Sequence, residues 1–283
     1  MSIKDYLPYY KRNLKVAFPV MLTQLGASLV GLFDTIMVGH YATADLAAVS
    51  FSNAIFFTVM VFAMGLLMGL TPLVGYEVGK EQATGNSQQA TDKIGGLLFN
   101  GFVIAVGLSI VMSALLGSAY PFLDHFGQEP EVIEAAREYY LLITISIIPF
   151  LFFCLQKQFL EGLGNTWVAM AITMVMNVLN IFLNWMLIFG HFGFEPMGAT
   201  GAGIATLISR LLMPVCFFVV IAAYRPWRQY LKCHQTNKRV AKHLLKIGTP
   251  IGIQTFLETF TFTISFVLIG WISKEALGAH QIA

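Results

Sequence analysis

Two carboxylates lie inside long apolar segments of the sequence. Asp34 belongs to GLFDTIMVGH, near the end of a run of more than twenty otherwise uncharged residues, and Glu258 lies eight residues after Pro250 in another. A carboxylate at membrane depth is costly, so it normally faces a cavity, an ion or a partner. Low dielectric favours its neutralisation by a proton or by a hard cation such as Na⁺. Asp34 and Glu258 are therefore candidate cation sites, although Asp34 could alternatively reach the outer interface, since Gly39 follows closely.

A row of neutral polar residues offers partners for such a carboxylate. The segment TMVMNVLNIFLNW carries them at steps of four, three and four, which place all of them on one helical face. Such a row could simply bind neighbouring helices. We favour a site in which amide oxygens join Asp34, with Thr206 of the following segment as a further member. The row consists of Thr173, Asn177, Asn180 and Asn184.

The composition requires a membrane. Of the 283 residues, 57% are hydrophobic and 11% charged, and the mean hydropathy is +0.70. A net charge of +2 with dispersed basic residues predicts no nucleic-acid partner, and the three cysteines lack metal-type spacing. Because about 20 apolar residues cross a bilayer, we expect an all-α polytopic protein. Its predicted spans are residues 16–38, 47–74, 94–117, 138–158, 167–190, 200–224 and 246–271.

The basic residues predict the orientation of these spans. With a cytoplasmic N-terminus, 14 of the 17 Lys and Arg residues fall on the cytoplasmic side, as the positive-inside rule requires. Arg210 lies within the sixth span, and the sequence assigns it no role. We expect a multi-pass protein of the plasma (inner) membrane.

The chain also contains an internal repeat. The segment from Leu14 aligns without a gap with the segment from Leu245, so that Pro19 matches Pro250 and Asp34 matches Ser265. Six spans separate the copies, so both enter from the same side, as in the parallel repeats of secondary transporters. We expect a six-helix N-terminal lobe at 1–230, a linker at 231–245 and the start of a second lobe at 246–283. The repeat predicts a longer twelve-span transporter, of which this chain is a truncated form lacking most of its C-terminal lobe.

These segments resemble the multidrug and toxic compound extrusion (MATE) family, NorM-like branch. The resemblance rests on GLFDTIMVGHYATADLAAVS, on NIFLNWMLIFGHFGFEPMGATGAGIATLIS, and on GTPIGIQTFLETFTF with its glutamate eight residues after a proline. It covers nearly the whole chain. It implies a two-lobe, twelve-helix antiporter that exports cationic, lipophilic compounds against entry of Na⁺ or H⁺, with no cofactor besides this coupling ion.

The resemblance also implies roles for individual residues. Asp34, Asn180 and Asn184 would form the cation site of the N-terminal lobe, joined by Thr206. Pro19 would be the hinge-like proline of the first helix. Glu258 would be the acidic residue of the second lobe, and Na⁺ could bind at either carboxylate. Helices eight to twelve of the family are absent from this sequence.

Three rival functions predict other features. A lipid-linked precursor flippase would need a basic cavity for phosphate, but only Arg210 is basic within the spans. A seven-helix receptor or retinal pigment would place the N-terminus outside, against the count of basic residues. For a membrane enzyme we find neither a metal-binding His pair nor a Ser/His/Asp arrangement, so we expect no enzymatic activity.

Overall fold

The chain is folded almost entirely into helices in a computed structural model, which describes residues 3–233 and 236–272. No strand occurs in those two ranges, which agrees with the predicted all-α class. Three short 3₁₀ helices, Tyr120–Phe126, His191–Gly193 and Gln229–Lys232, connect longer ones. The α-helices of the described chain are α1 (Ile3–Tyr41), α2 (Thr43–Met68), α3 (Leu70–Thr84), α4 (Ser87–Ala119), α5 (Pro130–Ile145), α6 (Ile147–Gly162), α7 (Thr166–Phe189), α8 (Gly198–Ala223), α9 (Arg225–Arg228) and α10 (Lys238–Ile272).

Most of the predicted spans correspond to long apolar helices. Over the described ranges, five helical stretches are long and apolar enough to cross a membrane, and the α5–α6 pair, bent by 44°, makes a sixth. The predicted seventh span, 246–271, is helical within α10. Residues 273–283, the rest of the predicted second-lobe start, lie outside the described residues.

Two predicted polar connections are largely helical. In the segment GKEQATGNSQQATDK, α3 continues to Thr84 and α4 begins at Ser87, so only two residues separate the helices. Gly85 there has φ 69°, which a glycine adopts without strain. Asn86 caps α4, because its side chain accepts a hydrogen bond from the backbone N of Gln89 at 3.4 Å.

The linker predicted at 231–245 is also shorter than expected. Helix α10 begins at Lys238, eight residues before the predicted span. Asn237 caps it by accepting a hydrogen bond from the backbone N of Arg239 at 2.9 Å. The backbone N of Asn237 in turn donates to Oδ1 of buried Asn100 on α4, at 3.0 Å. The first turn of α10 is thereby attached to the six-helix lobe.

Helix α7, which carries the polar row, has a defined beginning and end. Asn165 accepts a hydrogen bond from the backbone N of Val168 at 3.1 Å and caps the first turn. Gly190 ends the helix in the left-handed conformation, with φ 75°. The register of the row is therefore fixed at both ends of the helix.

Large apolar side chains fill the space between the helices. Phe56, Phe159 and Phe217 are completely buried on α2, α6 and α8, respectively. Tyr140 on α5 is also completely buried, and its hydroxyl donates to the backbone O of Leu116 at 2.8 Å. Relative to exposure to water, burial of each such side chain stabilises the folded protein by about 1.5–3 kcal/mol. Within a membrane, the same contacts provide close packing between helices.

Helices α2 and α10 touch through their backbones. A Cβ placed on Gly65 would lie 2.8 Å from the Cα of Gly252, and one on Gly69 would lie 2.7 Å from the Cα of Gly248. Small residues permit such close approach between membrane helices. The glycine contact, as we name these four residues, joins the six-helix lobe to the first helix beyond it.

Candidate functional site

Asp34 on α1 contacts the asparagine row of α7. Asn184 donates from Nδ2 to Asp34 Oδ1 at 2.5 Å and to Asn180 Oδ1 at 3.3 Å. Asn184 is fully buried, Asn180 is 5% exposed, and Asp34 is half-buried. The structure therefore brings together three of the residues that the sequence proposed for a cation site, from helices separated by about 150 positions in the chain.

Helices α1 and α7 approach closely near this cluster. A Cβ on Gly26, two turns before Asp34, would lie 2.5 Å from Met174 Cε and 3.2 Å from Asn177 Nδ2. Only a residue without a side chain fits there unless Met174 moves. The glycine thus allows the carboxylate of α1 to reach the amides of α7.

The two earlier residues of the row are buried but do not bond to Asp34. The Thr173 hydroxyl donates to the backbone O of Ala169 at 2.8 Å. The amide nitrogen of Asn177 has no hydrogen-bond partner in the described part of the chain. All four residues of the row are buried, as the one-face prediction requires. Only Asn184 bonds to Asp34, and Asn180 accepts a hydrogen bond from Asn184.

One oxygen of this cluster is unsatisfied. Asn184 Oδ1 is buried and accepts no hydrogen bond from any described residue, although buried polar atoms are normally paired. It belongs to the amide that bonds to Asp34, and Asn180 adds a second amide oxygen. Carboxylate and amide oxygens are the donors that hard cations prefer. The donor set therefore fits Na⁺, and the carboxylate alone is enough for a proton.

The sequence placed two further residues in cation sites. Thr206 is half-buried on α8, and no hydrogen bond within the described ranges joins it to Asp34 or to the asparagines. Glu258 is exposed on α10 and makes no hydrogen bond or ion pair to the cluster in the described chain. The cluster thus contains neither of them, and Glu258 belongs to a separate location.

Pro19 lies inside continuous helix α1. It is buried, and its backbone O accepts a hydrogen bond from the Thr23 hydroxyl at 2.8 Å. A proline removes one backbone hydrogen bond, and a threonine that bonds back to the helix weakens it further. These two residues therefore weaken the backbone hydrogen bonding of this turn of α1.

Arg210 is placed in an aromatic environment that the sequence did not predict. Its guanidinium carbon lies 4.6 Å from the ring centroid of Phe56 and 4.7 Å from that of Phe150. Its NH1 donates to Ser146 Oγ at 2.7 Å. Ser146 is the residue at which α5 ends and α6 begins. We name Arg210, Phe56, Phe150 and Ser146 the arginine box.

Sequence reasoning missed a second polar pair near this box. The Tyr139 hydroxyl on α5 donates to Asn53 Oδ1 on α2 at 3.2 Å. A single asparagine and a single tyrosine within apolar segments gave no periodic signal. The partners of Arg210 were also hidden, because phenylalanines are abundant in the sequence and a serine before a proline-containing helix is unremarkable.

Long apolar helices that surround a carboxylate and its amide partners define a polytopic, all-α membrane protein. The MatE family model matches residues 19–186. The chain belongs to the MatE family. The family membership that the sequence predicts is thereby confirmed.

Relatives and solved structures agree with this membership. The chain is 30% identical to a probable multidrug resistance protein NorM of Halalkalibacterium halodurans, over 96% of this chain and 59% of that protein. It is 29% identical to the multidrug resistance protein NorM of Photobacterium profundum, over 99% of this chain and 60% of that protein. The chain therefore spans about three fifths of the length of these relatives.

The fold is that of solved MATE transporters. An outward-facing multidrug resistance MATE family transporter matches with a TM-score of 0.73 and 21% identity, over 92% of this chain and 55% of that one. A MATE in the bent conformation matches with a TM-score of 0.77 and 18% identity, over 96% and 59%. At these identities the likeness concerns the fold alone.

Proposed function

We propose that this chain acts in secondary active antiport, exporting cationic lipophilic compounds in exchange for Na⁺ or H⁺. The observation that carries the proposal is the half-buried Asp34 carboxylate, which accepts a hydrogen bond from Asn184 beside an unsatisfied amide oxygen. The NorM relatives are named multidrug resistance proteins. Their membership in the same family supports small molecules, rather than macromolecules, as the cargo.

The proposed mechanism follows from competition between two cations, the coupling ion and the drug, for one negative charge. Asp34 is neutralised when a coupling ion binds, with Asn180 and Asn184 contributing amide oxygens to Na⁺ or hydrogen bonds to the carboxyl group. A drug cation that is attracted by the same charge cannot readily bind at the same time. Entry of the coupling ion therefore promotes release of the drug, and the reverse exchange resets the site.

The wall of such a site suits flat hydrophobic cations. The protein contains 24 Phe and 13 Met residues, whose rings and thioethers contact cations and apolar groups of varied shape. No group of three or more His, Cys, Asp or Glu side chains in the described ranges is arranged for a metal ion. We propose transport without a catalytic step.

The remaining assignments extend this proposal. Glu258 serves a second cation site on α10, Thr206 supports the first site in another conformation, and Pro19 is the bending point of α1. The N-terminus is cytoplasmic and the protein lies in the inner membrane, as the distribution of basic residues predicts. A flippase function has no comparable support, since the guanidinium of Arg210 is already engaged by Phe56, Phe150 and Ser146. A receptor function would place the N-terminus outside, against the distribution of basic residues.

Efflux measurements test the proposal. Cells expressing the complete reading frame should extrude a cationic dye, and Asp34→Asn should abolish this efflux at every Na⁺ concentration and pH. Asp92→Asn, the same substitution on the exposed surface of α4, is the matched control and should export normally. Undiminished efflux by Asp34→Asn, at equal protein abundance, would refute the coupling role. Varying Na⁺ at fixed pH, and pH at fixed Na⁺, identifies the ion.

A further inference from the structure

Arg210 is a positive charge fixed in the interior of the six-helix lobe. It occupies the thirteenth of the 26 positions of α8, in the middle of that helix. Two ring faces and one hydroxyl contact its guanidinium, as described for the arginine box. The ion pairs among the described residues are Lys93–Glu77, Arg137–Asp124 and Lys157–Glu161, so no described carboxylate lies within 4.0 Å of Arg210.

Arg210 lies deeper than Asp34 on the same side of the lobe. The end of α1 and the start of α8 are level, because a Cβ on Gly198 would lie 2.5 Å from Tyr41 Cε1. Asp34 is seven residues from that level and Arg210 is twelve, which at 1.5 Å per residue gives depths of about 10 Å and 18 Å. The two charges are therefore separated by roughly 8 Å along the helices.

The charges of Arg210 and Asp34 interact through the interior. At roughly 8 Å along the helices, two unit charges still interact appreciably in a low-dielectric interior. The guanidinium of Arg210 contacts the rings of Phe56 and Phe150 and forms no ion pair with a described carboxylate. The lobe thus contains an acidic site and a permanent cation at a fixed separation.

We propose that Arg210 is a positioning residue that lowers the affinity of the Asp34 site for cations and so speeds their release. This inference rests on the proposed cation site. A cation that binds at Asp34 is attracted by the carboxylate and repelled by the guanidinium. Without Arg210 the attraction remains and the repulsion is lost, so both the coupling ion and the drug bind more tightly and leave more slowly.

The size of the effect follows from the separation. Roughly 8 Å along the helices, combined with about 8–10 Å between packed helix axes, gives a distance of roughly 12 Å. Two unit charges at this distance, at an effective dielectric constant of about 20, change a binding constant on the order of tenfold. We therefore expect Arg210→Gln and Arg210→Met to bind cations about tenfold more tightly. Arg210→Lys retains the positive charge, so its Kd for cations should stay within about twofold of the wild-type value. An ammonium can keep both cation–π contacts, with Phe56 and with Phe150.

Cation binding by the complete protein in lipid nanodiscs tests the inference. The probes are ²²Na⁺ and tetraphenylphosphonium, a lipophilic monocation, both at one fixed pH. Neutral variants should show a lower Kd, and in transport a lower KM together with a lower turnover. Arg137→Gln removes an exposed arginine from α5 and is the matched control, which should bind as the wild type does. A purely structural role of Arg210 would change thermal stability without lowering the Kd.

A double-mutant cycle distinguishes the inference from the proposed site. Asp34→Asn removes the carboxylate that holds the cation at this site, so any remaining binding occurs elsewhere, and Arg210→Gln should leave that remaining affinity unchanged. Three results would overturn the inference. A folded neutral variant could bind cations with unchanged affinity, Arg210→Gln could raise the affinity equally in the Asp34→Asn background, or Arg210→Lys could itself bind more tightly. If both neutral variants fail to fold while Arg210→Lys folds, the charge serves the fold and the inference is wrong. Wild-type cation affinity in Asp34→Asn alone would instead refute the proposed site.

Discussion

Asn184→Leu separates the contribution of Asn184 to cation binding from its contribution to stability. The substitution removes the hydrogen bond to Asp34, which is worth about 1.5–3 kcal/mol for a charged partner. It also removes the buried unsatisfied Oδ1, whose desolvation costs about 1–3 kcal/mol. The two changes oppose each other and are similar in size. The cation-free protein should therefore change in stability by no more than about 1–2 kcal/mol.

Cation affinity should respond differently, because the variant loses an amide oxygen without compensation. We expect the Kd for the coupling ion to rise at least tenfold, equivalent to about 1.4 kcal/mol. The assay is thermal unfolding of the protein in nanodiscs with increasing Na⁺ or tetraphenylphosphonium, which reports stability at zero ligand and affinity from the shift. An Asn184→Leu protein with wild-type affinity would show that the amide is not a ligand.

The matched control is another asparagine of the same helix. Asn165 caps the first turn of α7 and lies far from Asp34. Asn165→Ala should destabilise the protein by about 1 kcal/mol through loss of the cap and leave the Kd unchanged. If both variants shifted stability and affinity in parallel, the affinity change would reflect general loosening of α7, and the reasoning about Asn184 would fail.

Two further predictions concern packing. Gly252→Val should destabilise the protein by several kcal/mol in thermal unfolding, because a Cβ there would lie 2.8 Å from the backbone O of Phe62; wild-type stability would show that α2 and α10 separate easily. Tyr140→Phe should cost about 1–3 kcal/mol, because it leaves the buried carbonyl of Leu116 unpaired, and unchanged unfolding would indicate that this carbonyl finds another donor.

The sequence predicts the central residues of the candidate cation site better than it predicts which further residues join them. Asp34 and the asparagine row could be identified because a carboxylate in an apolar segment is rare and because a polar face repeats with the helical period. The contact between Asp34 and Asn184 joins the first and fifth predicted spans, and only the need of a carboxylate for partners suggested it. Thr206 was included on the same ground, but the sequence does not show which face of α8 is turned towards Asp34.

The arginine box could not be predicted, because it depends on tertiary geometry. The sequence predicts one continuous span at 138–158, but the helix bends by 44° at Ser146. The serine hydroxyl at this bend accepts a hydrogen bond from Arg210 on α8. Phe56 and Phe150 are two of 24 phenylalanines, and nothing in their spacing distinguishes them. The predicted start of the last helix was also misplaced, since α10 begins eight residues before the predicted span. Hydropathy indicates which residues lie in the bilayer, whereas a helix can continue beyond it through polar residues.

The glycine contact between α2 and α10 acts as a fulcrum. The two backbones meet there, and the side chains of Phe62, Leu66 and Thr255 fill the space beside the glycines. From Gly252 to Ile272 the helix extends for twenty residues, about 30 Å at 1.5 Å per residue. A tilt of about 10° at the glycine contact would displace the far end of α10 by about 5 Å.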